Sequence, residues 1–355
     1  MLPPSGLSII ANTFPERKER AAAMGTWGAI SGLAVASGPL LGGILVTTLG
    51  WRSIFWVNVP VIALAILLAR RHIDESAAAR RPRFDLAGQI LSATSLAALA
   101  AGLIQAPQRG WTSPAILGLL GLAAAALIGF LALEHRRADP MLALRFFTNR
   151  AFSAAAAIAT LMYLALNGFT FLTTLYLQNV RGESPFVAGL SLLPSTAVIT
   201  LAAPVSARLT ARYGPRPPVL AAAAMATAGL LLLTLARDHQ GVALLAVAYL
   251  GVGAGAGLMN PPVTTTAMTA LPADQSGVAA GVTGTARQVG SVLGVALVGS
   301  VAVSGPDRTA HMTNAASALL IHTSHIGYAI GAGATAMAGL VALVALTPPP
   351  GRRRS

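Results

Sequence analysis

The sequence predicts an all-α integral membrane protein with many spans, and three observations carry that prediction. Hydrophobic residues make up 55% of the 355-residue chain and charged residues only 10%, against about 25% charged in ordinary soluble domains. Apolar runs of about 20 residues recur along it, the length that crosses a bilayer core at about 1.5 Å per residue. Lys and Arg concentrate in alternate connections between those runs, the pattern of a polytopic membrane protein. The runs are continuous and do not alternate, which argues against strands.

Ten spans are expected, at 21–49, 54–69, 86–104, 114–133, 151–175, 186–205, 218–236, 241–259, 278–304 and 326–347. The connections 12–20, 70–85, 134–150 and 206–217, with the tail 348–355, hold 18 of the 24 Lys and Arg residues. The alternate connections hold only Arg52, Arg109, Arg181, Arg237 and Arg308. The positive-inside rule therefore places the rich side and both termini in the cytoplasm of a cell membrane, plasma or inner. This distribution also rejects nucleic acid as the partner of a chain of net charge +13, because membrane topology already accounts for where the charges stand. The expected partners are the lipid bilayer and a small-molecule solute. With no cysteine, disulfides and thiolate metal sites are excluded. No cofactor or metal is expected. Met1 precedes Leu-Pro-Pro without a basic segment, so no cleavable signal peptide is predicted.

The first span holds GLAVASGPLLGG (32–43), a proline and four glycines inside an apolar run. Pro39 removes the bond to the Val35 carbonyl and is expected to bend the helix. Gly28, Gly32 and Ala36 recur every four residues, as do Gly38 and Gly42, a spacing that admits a neighbouring backbone closely. Trp27 is a candidate for stacking on an aromatic solute. The spans 54–69, 86–104 and 114–133 carry no chemistry that the sequence singles out.

In 151–175, Tyr163, Asn167, Thr170 and Thr174 fall at i, i+4, i+7 and i+11, one helical face, with Phe169 and Phe171 nearby. That stripe either lines a solute cavity or bonds a neighbouring helix. Ser191 and Ser195 make a smaller stripe in 186–205. In 241–259, Gly251/Gly255 and Gly253/Gly257 form two small-residue edges; GVGAGAG lacks the third glycine of a dinucleotide motif. Arg287 is the one charge expected within a span, about nine residues or ~14 Å into its helix. An intramembrane cation needs a cavity, a partner or a route to the interface. Gln288 lies about 100° round the helix from it. His322 and His325, with His311 nearby, fall in an outer connection without an acidic neighbour, which makes a poor metal site. All eleven carboxylates fall in connections on these bounds, so no proton-carrying group is evident within a span. No nucleophile–base arrangement gathers and no loop is long enough for a soluble catalytic domain, so an enzyme is not expected.

Two stretches repeat. FPERKERAAAMGTWGAISGLAVASGPLLGG (14–43) and LPADQSGVAAGVTGTARQVGSVLGVALVG (271–299) align so that Gly25, Gly28, Gly38 and Gly43 meet Gly281, Gly284, Gly294 and Gly299. Pro3-Pro4 meets Pro261-Pro262 upstream. Each half thus reads as a helix ending in Pro-Pro, a short cytoplasmic loop, then a glycine-spaced helix, and repeated halves are common in transporters. In the second copy four spans (151–259) precede the Pro-Pro. The repeat therefore predicts that three to four helices of the first half precede Met1, and that residues 1–11 are the end of the last of them.

Gly38-Pro39-Leu40-Leu41-Gly42-Gly43 resembles the antiporter motif of the fifth helix in the major facilitator superfamily. With FPERKERAAAMGTWGA before it, GWRSIFWVNVP (50–60) after it and TARQVGSVLGVAL (285–297) further on, the chain resembles the EmrB/QacA-type fourteen-helix drug:proton antiporters, lacking their first three to four helices. The departures are Ala34, where the family motif has glycine, and Ala211, where the acidic residue of a cytoplasmic gating motif would stand. The rest of that motif is matched by Arg212, Gly214 and Arg216 in SARLTARYGPRP. The resemblance implies three parts: 1–72, the remnant of an N-terminal bundle; 73–140, a cytoplasmic segment and an extra helix pair; and 141–355, a C-terminal six-helix bundle. It implies export of drug-like amphipathic compounds by proton antiport and alternating access, with protons as partners if the N-terminal helices are supplied. Tyr163, Asn167, Thr170, Arg287, Gln288 and Trp27 are its candidate substrate contacts, and Gly38, Pro39, Gly42 and Gly43 its gate. The alternatives are a non-transporting remnant or a fragment completed by a separate N-terminal piece, and an exporter of a self-made metabolite.

Overall fold

The computed structural model describes residues 17–72, 85–137, 144–235, 242–272, 275–302 and 314–346, with Thr13. Its helices follow the apolar runs. They are α1 (Arg17–Leu49), the short α2 (Ser53–Trp56), α3 (Asn58–His72), α4 (Leu86–Arg109), α5 (Pro114–Arg136), α6 (Arg150–Leu175), α7 (Pro185–Tyr213), α8 (Arg216–Thr234), α9 (Val242–Thr269), α10 (Ser276–Ala302) and α11 (Asn314–Ala345). No strand occurs among the described residues.

Every expected span falls on a helix, and among the described residues eight stretches are long and apolar enough to cross a membrane. α1 and α10, which carry the expected spans 21–49 and 278–304, run for 33 and 27 residues, each longer than a bilayer core requires.

The helix ends also differ from the apolar runs. α7 continues to Tyr213, so most of the expected connection 206–217 is helix; arginines are good helix formers and favour a helix C-terminus. The chain turns only at Gly214, where φ is +82° and the amide bonds to the Thr210 carbonyl at 2.9 Å. α9 does not stop at Pro261-Pro262 but runs to Thr269. Pro262 has no N–H for the Leu258 carbonyl, and the buried Ser206 hydroxyl of α7 donates to that carbonyl instead. α6 widens at its end into a π turn, Tyr176–Val180. α11 begins well before residue 326, so His322 and His325 are helical; His311 and residues 1–12 lie outside the described residues.

Helices α6–α11 form one bundle, with α10 along α6, α9 between α7 and α8, and α11 against both α6 and α8. Its core is two stacked clusters. One joins Phe152–Met162 of α6 to Val219–Ala226 of α8, Leu258–Ala267 of α9 and Ala338–Leu346 of α11. The other joins Ala165–Leu177 to Leu230, Leu233, Leu245–Val252 and Tyr328–Ala332. Glycines set the close approaches. A Cβ on Gly290 or Gly294 would strike the backbone of Thr160 or Leu164 in α6; one on Gly253 would strike Ser195 in α7; one on Gly255 would lie 2.6 Å from the Ala226 Cβ in α8. The two glycine edges of α9 thus face different helices.

Outside this bundle, α4 and α5 form a hairpin, tied by the buried Ser95 hydroxyl donating to the Ala123 carbonyl at 2.9 Å, and α4 leans on α10. α1 lies along α7. α3 makes its main contact with α2 and exposes Val59, Val61, Ile62, Leu64 and Leu67.

Candidate functional site

The face of α6 predicted from periodicity meets α9 and α10 at the level where the two core clusters adjoin, between Met162 and Ala165. Here the contacts turn polar. Tyr163 donates its hydroxyl to Asn260 Oδ1 at 3.3 Å. Asn167 Nδ2 donates to the Tyr163 carbonyl and to Ser291 Oγ, each at 3.0 Å. Ser291 Oγ in turn donates to the Arg287 carbonyl at 3.0 Å, one turn back along α10. Arg287 Nη2 donates to Thr264 Oγ1 at 2.6 Å, and the guanidinium lies 5.8 Å from the Tyr163 ring centroid. Each member is half-buried.

This network continues into a cleft of about 280 Å³ lined by Asn167, Thr170, Phe171, Thr174, Leu175 and Val295. Arg287, Ser291 and Val295 follow at i, i+4 and i+8 on α10, facing the i, i+4, i+7, i+11 stripe of α6. The polar network of Arg287, Tyr163, Asn260, Ser291 and Asn167 thus adjoins a largely apolar cleft, with Asn167 belonging to both. Thr170 and Thr174 bond back to their own helix, at the Leu166 and Thr170 carbonyls.

The structure thus brings together Tyr163, Asn167, Thr170 and Arg287 and leaves the other candidates elsewhere. Gln288 is exposed, round the helix from Arg287. The side chain of Trp27 lies outside the described residues, as does that of Pro39, although α1 continues through both. Close approach along α1 is found at Gly43, where a Cβ would lie 2.7 Å from the Pro185 carbonyl oxygen and 2.8 Å from the Phe186 Cα of α7. Gly38 and Gly42 meet nothing within 4 Å, so the expected tight edge Gly38/Gly42 is displaced to their neighbour. Arg212, Gly214 and Arg216 sit together at the α7–α8 turn, with Arg212 exposed over the Tyr213 ring at 5.2 Å. Ser195 is buried against Gly253, and Ser191 bonds the Val187 carbonyl, so both serve packing. Among the described residues no three potential metal ligands gather.

Sequence reasoning missed Asn260, Thr264 and Ser291. Ser291 was within reach, standing four residues after Arg287. Asn260 and Thr264 flank Pro261-Pro262, where the helix was expected to end. A second omission concerns the carboxylates. Glu134 lies in the last turn of α5 and is 2% exposed, and Asp85 caps α4, is 6% exposed and pairs with Arg137 at 2.9 Å. The expectation that all carboxylates sit in connections fails at Glu134, because the C-terminal end of α5 runs three residues past the expected span 114–133.

A solute groove inside a helix bundle calls for comparison with known carriers. Residues 1–295 match the Major Facilitator Superfamily. The chain belongs to that superfamily. Among curated members it is 41% identical over 297 residues to the multidrug resistance protein Stp of Mycobacterium tuberculosis, covering 84% of this chain and 55% of the relative. To the tetracenomycin C resistance and export protein of Streptomyces glaucescens it is 33% identical over 305 residues, 86% of this chain and 56% of the relative. To the methylenomycin A resistance protein of Streptomyces coelicolor it is 34% identical over 304 residues, 86% and 64%. This major facilitator chain therefore spans between about half and two thirds of the length of these relatives. Its α1 motif, α7–α8 turn and α10 all lie inside the matched region.

Proposed function

We propose that this chain supplies the greater part of a membrane exporter that moves drug-like amphipathic compounds outward in exchange for protons, by alternating access. The observation that carries the reading is the groove between α6, α9 and α10, polar at mid-depth and apolar beyond it, within a major facilitator bundle. Substrate sites near the membrane midplane, between repeated halves, are the usual arrangement in such carriers. The relatives named for drug resistance and export support the substrate class. The proposed type is the fourteen-helix EmrB/QacA one, with α4–α5 as its extra helix pair (73–140), 1–72 as part of the N-terminal bundle and 141–355 as the C-terminal one. The proposed site is in the cell membrane, with the Arg-rich connections cytoplasmic. Gly38, Pro39, Gly42 and Gly43 form the proposed gate, with Gly43 seated on the N-terminal turn of α7.

The test is drug efflux from cells expressing the full chain, with and without a collapsed pH gradient. Export should vanish when the gradient is collapsed, and the Gly38→Ala/Pro39→Leu double variant should insert normally while losing about tenfold or more of the rate. Export that survives the uncoupler would overturn proton exchange; an unimpaired double variant would overturn the gate. The relatives named for a single antibiotic, tetracenomycin C or methylenomycin A, favour a second, narrower reading, export of one compound such as a metabolite the cell itself makes, which competition between such a compound and general drugs would separate.

A further inference from the structure

We infer that the groove between α6, α9 and α10 selects solutes bearing an acidic group on an apolar, aromatic body, with Arg287 as the counter-charge. For its transport consequence this rests on the exporter reading above; for its binding chemistry it rests on the geometry alone.

Arg287 carries a full charge about three turns into α10. Among the described residues Arg287 forms no ion pair; Asp85, for one, pairs with Arg137. Of its five N–H donors, one on Nη2 is used on Thr264, and Nε is buried with no hydrogen-bond partner. A buried donor without a partner costs about 1–3 kcal/mol, more when charged, so the guanidinium is held at a cost that an anion at its Nη edge offsets. The surrounding groups are neutral: Tyr163, Asn167, Asn260, Thr264 and Ser291.

A carboxylate, phenolate or enolate answers this arrangement. Its oxygens accept from the Nη donors that Thr264 leaves over, in the end-on fork geometry that guanidinium offers. Asn167 and Ser291 lie one turn further along, and the cleft of Thr170, Phe171, Thr174, Leu175 and Val295 receives the apolar remainder. A cationic solute meets the opposite case. It faces Arg287 at short range with no carboxylate in the groove to replace its hydration.

The probes are fluorescein and rhodamine 123, one xanthene skeleton bearing opposite charges. Fluorescence polarisation on the detergent-purified full chain should show fluorescein bound about tenfold or more tightly than rhodamine 123. Arg287→Gln should weaken fluorescein by a similar factor and leave rhodamine 123 unchanged or tighter. Arg287→Lys keeps the charge and loses the fork, so it should weaken fluorescein by a few fold only; this variant decides the matter should the Gln form not fold. Preference of the wild-type chain for rhodamine 123, an equal loss of both probes in Arg287→Gln, or full fluorescein affinity in either variant overturns the inference. Reconstitution into vesicles with a pH gradient separates it from the exporter reading: Arg287-dependent binding without fluorescein movement sinks export and leaves the selectivity standing.

Discussion

Single glycines and one serine show how a chain this apolar keeps its helices in register. Lipid tails are as apolar as leucine, so helices in a bilayer associate through close packing and hydrogen bonds, not through apolar burial. Gly290 and Gly294 admit the α6 backbone at Thr160 and Leu164. Gly294→Val should therefore lower the thermal stability of the purified chain by about 2 kcal/mol or more, while Gly281→Ala and Gly333→Ala, which meet nothing within 4 Å, should leave it unchanged. Equal losses at all three positions would mean that close approach is not what holds α10 to α6. Ser206 makes a sharper case. Its hydroxyl satisfies the Leu258 carbonyl that Pro262 leaves open, so Ser206→Ala should cost about 1–3 kcal/mol. In Pro262→Ala the carbonyl regains its own helical partner, and the serine change should then cost little. A double-mutant cycle on chemical unfolding measures the difference, and simple additivity would refute the pairing. This pair was invisible in the sequence, because Ser206 stood in an expected loop and nothing in the residue pattern links it to a proline 56 positions on.

At the scale of helices, existence was legible and ends were not. Hydropathy located each helix because bilayer-length apolar runs leave the backbone no other way to satisfy its polar groups. It misplaced the ends of α5, α7, α9 and α11 because backbone bonding continues past the apolar stretch wherever good helix formers and a late cap allow. The cost of those errors was chemical. Extending α5 by three residues turned Glu134 from a loop residue into a buried one, and extending α9 brought Thr264 to Arg287. The stripe from Tyr163 to Thr174 was readable because it sits mid-helix, where the 3.6-residue period holds whatever the ends do. The hairpin of α4 and α5 shows what an end can hold. Asp85 accepts from the Gly88 amide at 2.7 Å and pairs with Arg137, and a Gly88 Cβ would lie within 3.1 Å of both the Asp85 and Glu134 carboxylates. Asp85→Ala removes both a cap and an ion pair, and should destabilise by about 2–4 kcal/mol. The same groups leave no room at residue 88, so Gly88→Leu should loosen the hairpin too. Limited proteolysis between residues 85 and 137 reads either effect, and resistance equal to wild type in both variants would show that the clasp is dispensable.

The whole molecule poses the question of orientation, and its charges supply the argument. The Arg-rich connections and tail must all lie on one side of the bilayer if the spans are correct, because each crossing reverses the side. Insertion retains Lys and Arg in the cytoplasm, since carrying them across the membrane opposes both their hydration and the membrane potential. That scheme puts two exposed aromatic residues on opposite sides of the bilayer. Trp111 is 52% exposed in the turn between α4 and α5, and Tyr213 is 56% exposed at the end of α7 beside Arg212. As the chain has no native cysteine, Trp111→Cys and Tyr213→Cys each introduce a single thiol. A membrane-impermeant maleimide applied to intact cells should label Trp111→Cys and spare Tyr213→Cys, with both labelled after permeabilisation. Labelling of both in intact cells would break the alternation of the three spans between them. The reverse pattern would invert the molecule, placing the arginine-rich turn outside and pointing any export through the groove in the wrong direction.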